Sequence, residues 1–235
     1  MATQPTQLVI FDCDGVLVDS EPIALDVLVD ALAVKGITMD AEGAAERFLG
    51  RSISSLAEVV RQEFQVEIDQ AFLTHMREAL YARFRSDLKP IAGIKYVVGG
   101  LKALGISWCV ASSSQRERIE LSLAATDLLD HFTPSIFSAT MVKNGKPAPD
   151  LFLYAAAAMG VEPSACLVVE DSPAGIVAAQ AAGMRVCAFT GGSHTGYASY
   201  QAALGALHPD ARFDAMEELL HFVQGARRPE NHSDA

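Results

Sequence analysis

Apolar residues along this chain come in two rhythms. Short runs rich in β-branched residues alternate with longer stretches in which apolar positions return every three or four residues. The short runs predict strands over 7–12 (QLVIFD), 106–112 (ISWCVAS), 135–139 (SIFSA), 165–171 (ACLVVED) and 185–189 (RVCAF). Near-continuous apolarity in several of them marks parallel strands covered on both faces. Helical spacing follows or separates them, over 115–125, 150–160, 173–182 and 215–224. Such alternation predicts an α/β fold, a doubly wound parallel sheet. Ser172 before Pro173 reads as a helix start, and Gly160 and Gly183 stand where helix ends favour glycine.

Residues 21–88 break the alternation. They contain no convincing strand and read as amphipathic helices over roughly 21–35, 40–48, 52–64 and 68–85. An all-α cap domain, 20–88, is therefore expected as an insert in a core domain made of 1–19 and 89–235. Its boundaries fall near Asp19–Ser20 and in DLKPIAG (87–93), with Asp19, Ser20 and Pro22 as hinge candidates. The polar tail, 225–235, is expected to fray.

Composition narrows the picture further. Half of the 235 residues are hydrophobic, enough for a sizeable core. A formal net charge of −11 argues against nucleic acid or an anionic membrane as a general partner, while leaving room for a small anionic substrate at a local cationic site. No apolar run approaches the ~18 residues of a membrane span, and MATQPTQ is not a signal peptide. Cys13, Cys109, Cys166 and Cys187 sit in or beside apolar strands without CxxC spacing, which predicts buried free thiols in a cytoplasmic protein.

The candidate chemistry lies at strand ends, where open α/β sheets bind ligands. Asp12 ends the first strand and Asp14 follows it. The second ends in Ser112, Ser113 and Ser114, the loop after the third carries Lys146 in NGKPAPD, and the fourth ends in Glu170 and Asp171. Carboxylates crowded against a buried strand destabilise a fold unless something compensates them. Asp12, Asp14, Glu170 and Asp171 are hard oxygen ligands suited to Mg²⁺, which binds through one or two carboxylates plus substrate phosphate and water. One acid then stays free to attack phosphorus. Ser112 and Lys146 would hold the oxygens of the transferring phosphoryl group.

This arrangement resembles the haloacid dehalogenase superfamily of phosphotransferases over nearly the whole chain. FDCDGVLVDSE (11–21) looks like its first motif, DxDGxxxDSE. Ser112 in VASSS matches the second, Lys146 in KPAPD the third, and EDSPAG (170–175) the fourth. The helical insert is similar to the small cap of the subgroup that includes β-phosphoglucomutase and many sugar-phosphate phosphatases. The resemblance implies Asp12 as nucleophile, and Asp14 as the acid that protonates the leaving group and then the base that activates water. It also implies Mg²⁺ bound by Asp12, the Asp14 backbone carbonyl and Asp171, with Glu170 supporting them.

A mutase of this subgroup grips a second phosphate with a cap arginine, in a pattern like GxSRxxS. Here LGRSISSL (49–56) has Ile53 at that position, and Ala24 stands where β-phosphoglucomutase has a histidine. Asp14 argues against the dehalogenase and phosphonatase branches, which lack it, and no motif residue is lost as a non-catalytic relative would lose it. The expectation is a Mg²⁺-dependent phosphatase of small phosphorylated metabolites, sugar or sugar-acid phosphates, working through an aspartyl-phosphate. A β-phosphoglucomutase-type mutase is the alternative. Ser113, Ser114, Arg51 and Arg116 are the expected substrate-binding residues, the arginines for a distal anionic group. His194 in TGGSHTG reads as a lone loop histidine.

Overall fold

The strands are β1 (Leu8–Phe11), β2 (Ser107–Ser112), β3 (Ile136–Ser138), β4 (Cys166–Glu170), β5 (Arg185–Phe189) and β6 (Ala211–Phe213). All pair in parallel, in the order β3-β2-β1-β4-β5-β6. The structure is a computed structural model that describes residues 4–48, 53–196 and 198–225. β1 lies at the centre, with Phe11 in register with Val110 of β2 and Val169 of β4. Its four residues are fully buried and divide by alternation. Val9 and Phe11 enter one core cluster, and Leu8 and Ile10 the other, on the opposite face. This two-sided burial is why the first strand reads as unbroken apolar sequence.

The helices are α1 (Glu21–Val34), α2 (Ala41–Phe48), α3 (Ile53–Phe64), α4 (Gln70–Asp87), α5 (Ile94–Ala103), α6 (Arg116–Ala125), α7 (Leu129–Phe132), α8 (Asp150–Ala158), α9 (Pro173–Ala181), α10 (Ala198–Gly205) and α11 (Glu218–Gly225). The first face of the sheet packs on residues of α5, α6 and α11, the second on α8 and α9. Helices α1 to α4 form the block expected between β1 and the rest. Leu28, Leu32, Phe48, Val60 and Phe72 give that block an apolar cluster of its own. Its lower side, Ile23, Val27, Leu80 and Phe84, joins the cluster under the sheet. The chain leaves for the block and returns from it side by side: Asp19 N donates to Lys89 O at 3.0 Å, and Ile91 N to Leu17 O at 2.9 Å.

Sequence reading places β1 to β5 to within a residue or two and finds α6, α8 and α9. It misses β6, α5, α7 and α10, and starts α11 too early. Gly160 and Gly183 do take left-handed backbone, with φ of +68° and +71°. All four cysteines are free and buried. Among the described residues no helix is long and apolar enough to cross a membrane.

Candidate active site

Three adjacent strands, β2, β1 and β4, bring their carboxyl ends to one edge of the sheet. Asp12 follows β1, and its N–H bonds Val169 O at 3.0 Å, which extends the ladder to the carboxylate. The chain then turns at once. Cys13 O accepts from Leu17 and Val18 N, while Cys13 itself packs into the core. Gly15 takes φ +78°, and a Cβ there would lie 1.9 Å from Asp171 Oδ2, so the turn admits only glycine where two acidic segments meet.

Lys146 reaches the same edge from the loop after β3. Its side chain is almost wholly buried and spends its three donors on Asp12 Oδ1 (2.6 Å), Glu170 Oε1 (2.6 Å) and Ala111 O (3.0 Å). Phe152 lies against the ammonium, 4.8 Å from ring centroid to Nζ. Glu170 is fully occupied on its other oxygen as well, by Ser172 N and Oγ at 2.9 and 2.8 Å. Glu170 thus lines the cavity with both oxygens already engaged, one by the buried Lys146 and the other by the start of α9. Expected among the oxygen donors to a metal, it spends those oxygens on Lys146 and Ser172.

Asp14 is held from three segments. Ser20 Oγ (2.7 Å) and an Arg118 guanidinium nitrogen (2.8 Å) donate to Oδ1, and Ser114 Oγ (2.7 Å) to Oδ2. Ser20 gives its hydroxyl to Asp14 and makes no side-chain cap on α1. Ser112 Oγ accepts from Ser114 N at 3.1 Å, and Ser138 Oγ donates to Ser114 O at 2.7 Å, so the serine run is itself braced.

Asp12, Asp14, Ser112, Ser114, Arg118 and Lys146 line a cavity of about 750 Å³, to which Ser113, Glu21, Asp171, His194 and Tyr200 also contribute. Among the described residues, five carboxylates face it against two permanent cations, Lys146 and Arg118. Burial drives the Asp12 carboxyl well above its usual range; Lys146 pulls it down, and Glu170 and Asp171 push it further up. Asp171 is likewise raised, by burial and then by Glu170 and Glu21. Burial would raise Asp14 too, but Arg118 and the bonds from Ser20 and Ser114 outweigh it and leave it below the usual carboxylate value. Glu21 is raised by burial and by Asp14.

Asp12 and Asp171 are therefore acids whose ionisation is not fully compensated, even with Lys146 on Asp12, which suits a hard divalent cation. Among the described residues no three His, Cys, Asp or Glu side chains converge as a closed metal cage. Mg²⁺ needs none, because it keeps several waters and takes one or two carboxylates. The donor set fits that ion.

The structure gathers Asp12, Asp14, Ser112, Ser113, Ser114, Lys146, Glu170 and Asp171 around one cavity, but not Arg116. Arg116 is exposed and turns to Glu120 at 2.7 Å, one helical turn along α6. Arg118 faces the site in its place. Arg51 lies outside the described residues. His194 is not a lone loop residue: it is buried, its Nε2 lies 2.9 Å from Asp171 Oδ2 without hydrogen-bond alignment, and its ring meets Tyr200 edge-on. Burial lowers its imidazole below the ordinary value against the pull of Glu21, Asp19 and Asp14. One signal for Arg118 was present in the sequence. The i,i+4 spacing of Arg116 and Glu120 offers Arg116 a surface partner and puts Arg118 on another face. Glu21 closes the first motif, DxDGxxxDSE, which is a signal the sequence did hold; for His194 and Tyr200 it held none.

A family model for haloacid dehalogenase-like hydrolases matches residues 6–183. The chain belongs to that family. This haloacid dehalogenase-like hydrolase is 34% identical to the 6-phosphogluconate phosphatase of Escherichia coli over 189 residues, 80% of this chain and 84% of that one. A crystal structure of a conserved haloacid dehalogenase-like protein of unknown function from Agrobacterium tumefaciens superposes with a TM-score of 0.83 at 36% identity, covering 95% of this hydrolase and 100% of that chain. A family hydrolase from Deinococcus radiodurans with bound phosphate and sodium gives 0.79 at 30% identity, covering 94% and 96%.

Proposed function

We propose that this hydrolase is a Mg²⁺-dependent phosphatase of small phosphorylated metabolites, sugar or sugar-acid phosphates, with residues 20–88 as a cap over a core of 1–19 and 89–235. The observation that carries it is the pairing at the sheet edge. A buried Asp12 is fixed by Lys146 at 2.6 Å, and Asp14 stands two residues on, held apart by its own donors. The phosphatase named among its relatives and the phosphate in the Deinococcus structure support the reading.

In this reading Asp12 attacks phosphorus. The bond to the leaving oxygen breaks with its electron pair, and the alkoxide takes a proton from Asp14. Water then attacks the aspartyl-phosphate and gives its proton to Asp14, and the bond from phosphorus to the Asp12 oxygen breaks, returning the carboxylate. Lys146 orients Asp12, and the serine run faces the phosphoryl oxygens. Asp12, Asp171 and the Asp14 carbonyl would hold Mg²⁺, which when bound offsets the charge on those oxygens. The cap keeps bulk water out during transfer.

The test is hydrolysis of p-nitrophenyl phosphate with Mg²⁺ and with EDTA. Activity is expected with the metal and not with the chelator, and Asp12→Asn is expected to lose at least about 10³-fold. Full activity in EDTA or in that variant would overturn the mechanism. β-Glucose 1-phosphate with a trace of the 1,6-bisphosphate should release inorganic phosphate and not glucose 6-phosphate.

A further inference from the structure

We propose that Arg118 is a positioning residue for Asp14, holding its carboxylate in one orientation and tying that orientation to the helical block. The inference rests on the reading of Asp14 as the proton carrier. Arg118 stands on α6, in the sheet-bearing part of the chain, and donates to Asp14 Oδ1 at 2.8 Å. Its guanidinium carbon lies 5.4 Å from the ring centroid of Phe84, which is on α4 and fully buried. One side chain therefore touches both the acid and the block above it.

Arg118 Nε is closed off from solvent and has no hydrogen-bond partner. The flat group is thus fixed by the carboxylate at one end and by the aromatic face, and not by a dense polar network. A lysine could supply charge but neither the fork nor the stacking surface. Ser20 shares the same Asp14 oxygen and begins α1, so a second contact also comes from the block side. With Ser114 on the other oxygen, Asp14 has little freedom to rotate. Displacing α4 would release Phe84 from the guanidinium and remove part of this restraint.

The consequence is separable by step. With p-nitrophenyl phosphate the leaving group needs no proton, so forming the aspartyl-phosphate does not call on Asp14. Its hydrolysis does, because the attacking water must lose a proton to that carboxylate. Rapid-mixing kinetics of Arg118→Met are therefore expected to show a burst of about one p-nitrophenolate per active site, then turnover slowed roughly 10²-fold. Asp14→Asn should give the same burst with slower turnover. Arg118→Lys should fall between Arg118→Met and the unaltered protein, and it supplies the same measurement if the methionine variant does not fold. A burst in Asp14→Asn with none in either Arg118 variant would overturn the positioning role and leave Asp14's role standing. No burst in Asp14→Asn, or undiminished turnover, would overturn the reading of Asp14 and the inference with it.

Discussion

Glu170 is wholly buried, yet neither of its oxygens lacks a donor. That satisfaction is what makes a buried carboxylate tolerable. It also depends on Gly175, one turn into α9, where a Cβ would fall 1.9 Å from the Glu170 carboxyl. Two effects compete in Gly175→Ala. Helix propensity gains up to about 1 kcal/mol, and overpacking costs about 1–3 kcal/mol. The carboxylate has nowhere to go, so net destabilisation is expected in urea titrations, with reduced activity as Lys146 loses its register. EDSPAG made Glu170 a site residue in the sequence. Its partner could not be read there, because the bond to Lys146 spans 24 residues and depends on how the loop after β3 folds back. Arg118 was passed over although its helix spacing was readable: proximity to the serine run favoured Arg116, while helix geometry turns Arg116 to Glu120 and Arg118 to Asp14.

The start of α9 shows the same economy at the scale of an element. Ser172 Oγ accepts from Gly175 N at 3.0 Å and donates to Glu170, serving as helix cap and carboxylate partner together. Ser172→Ala should cost about 1–2 kcal/mol, toward the upper end for a lost N-cap, because a buried acceptor loses a donor too. Thermal unfolding checks it. This helix was legible because its cap, its proline and its following glycine all lie within the local sequence. α5 was not, since Gly99 and Gly100 look like a break. Gly100 is there for contact: a Cβ would meet Leu220 of α11 at 2.5 Å. β6 was missed because its three residues, ARF, bury only the phenylalanine and give no alternation to detect. The four helices of the insert were legible from their apolar spacing, whereas their fit onto Phe84 and Ile23 depends on tertiary packing.

For the molecule as a whole, the concentration of negative charge at one sheet edge sets a pH signature. Asp12 and Asp171 have carboxyls raised in the folded state, so their ionisation opposes folding at neutral pH. The penalty is relieved as pH falls through the raised values. Asp14 is lowered and behaves oppositely: its contribution is present above the ordinary carboxylate value and is lost as pH falls through the depressed one. Mg²⁺ binding only the folded state should raise the melting temperature at pH 7, and protons should compete with it. The expected gain therefore shrinks between pH 7 and pH 5, and Asp171→Asn should remove most of it at either pH. An unchanged gain across that range would contradict the assignment of these two acids. The central place of β1 also bears on synthesis. Asp12 leaves the ribosome well ahead of its ammonium partner, 134 residues downstream, and the strand on its other side is later still. The nascent chain must carry β1 unpaired on that side until β4 emerges, so the acidic edge is assembled late, by a segment that closes around an earlier one.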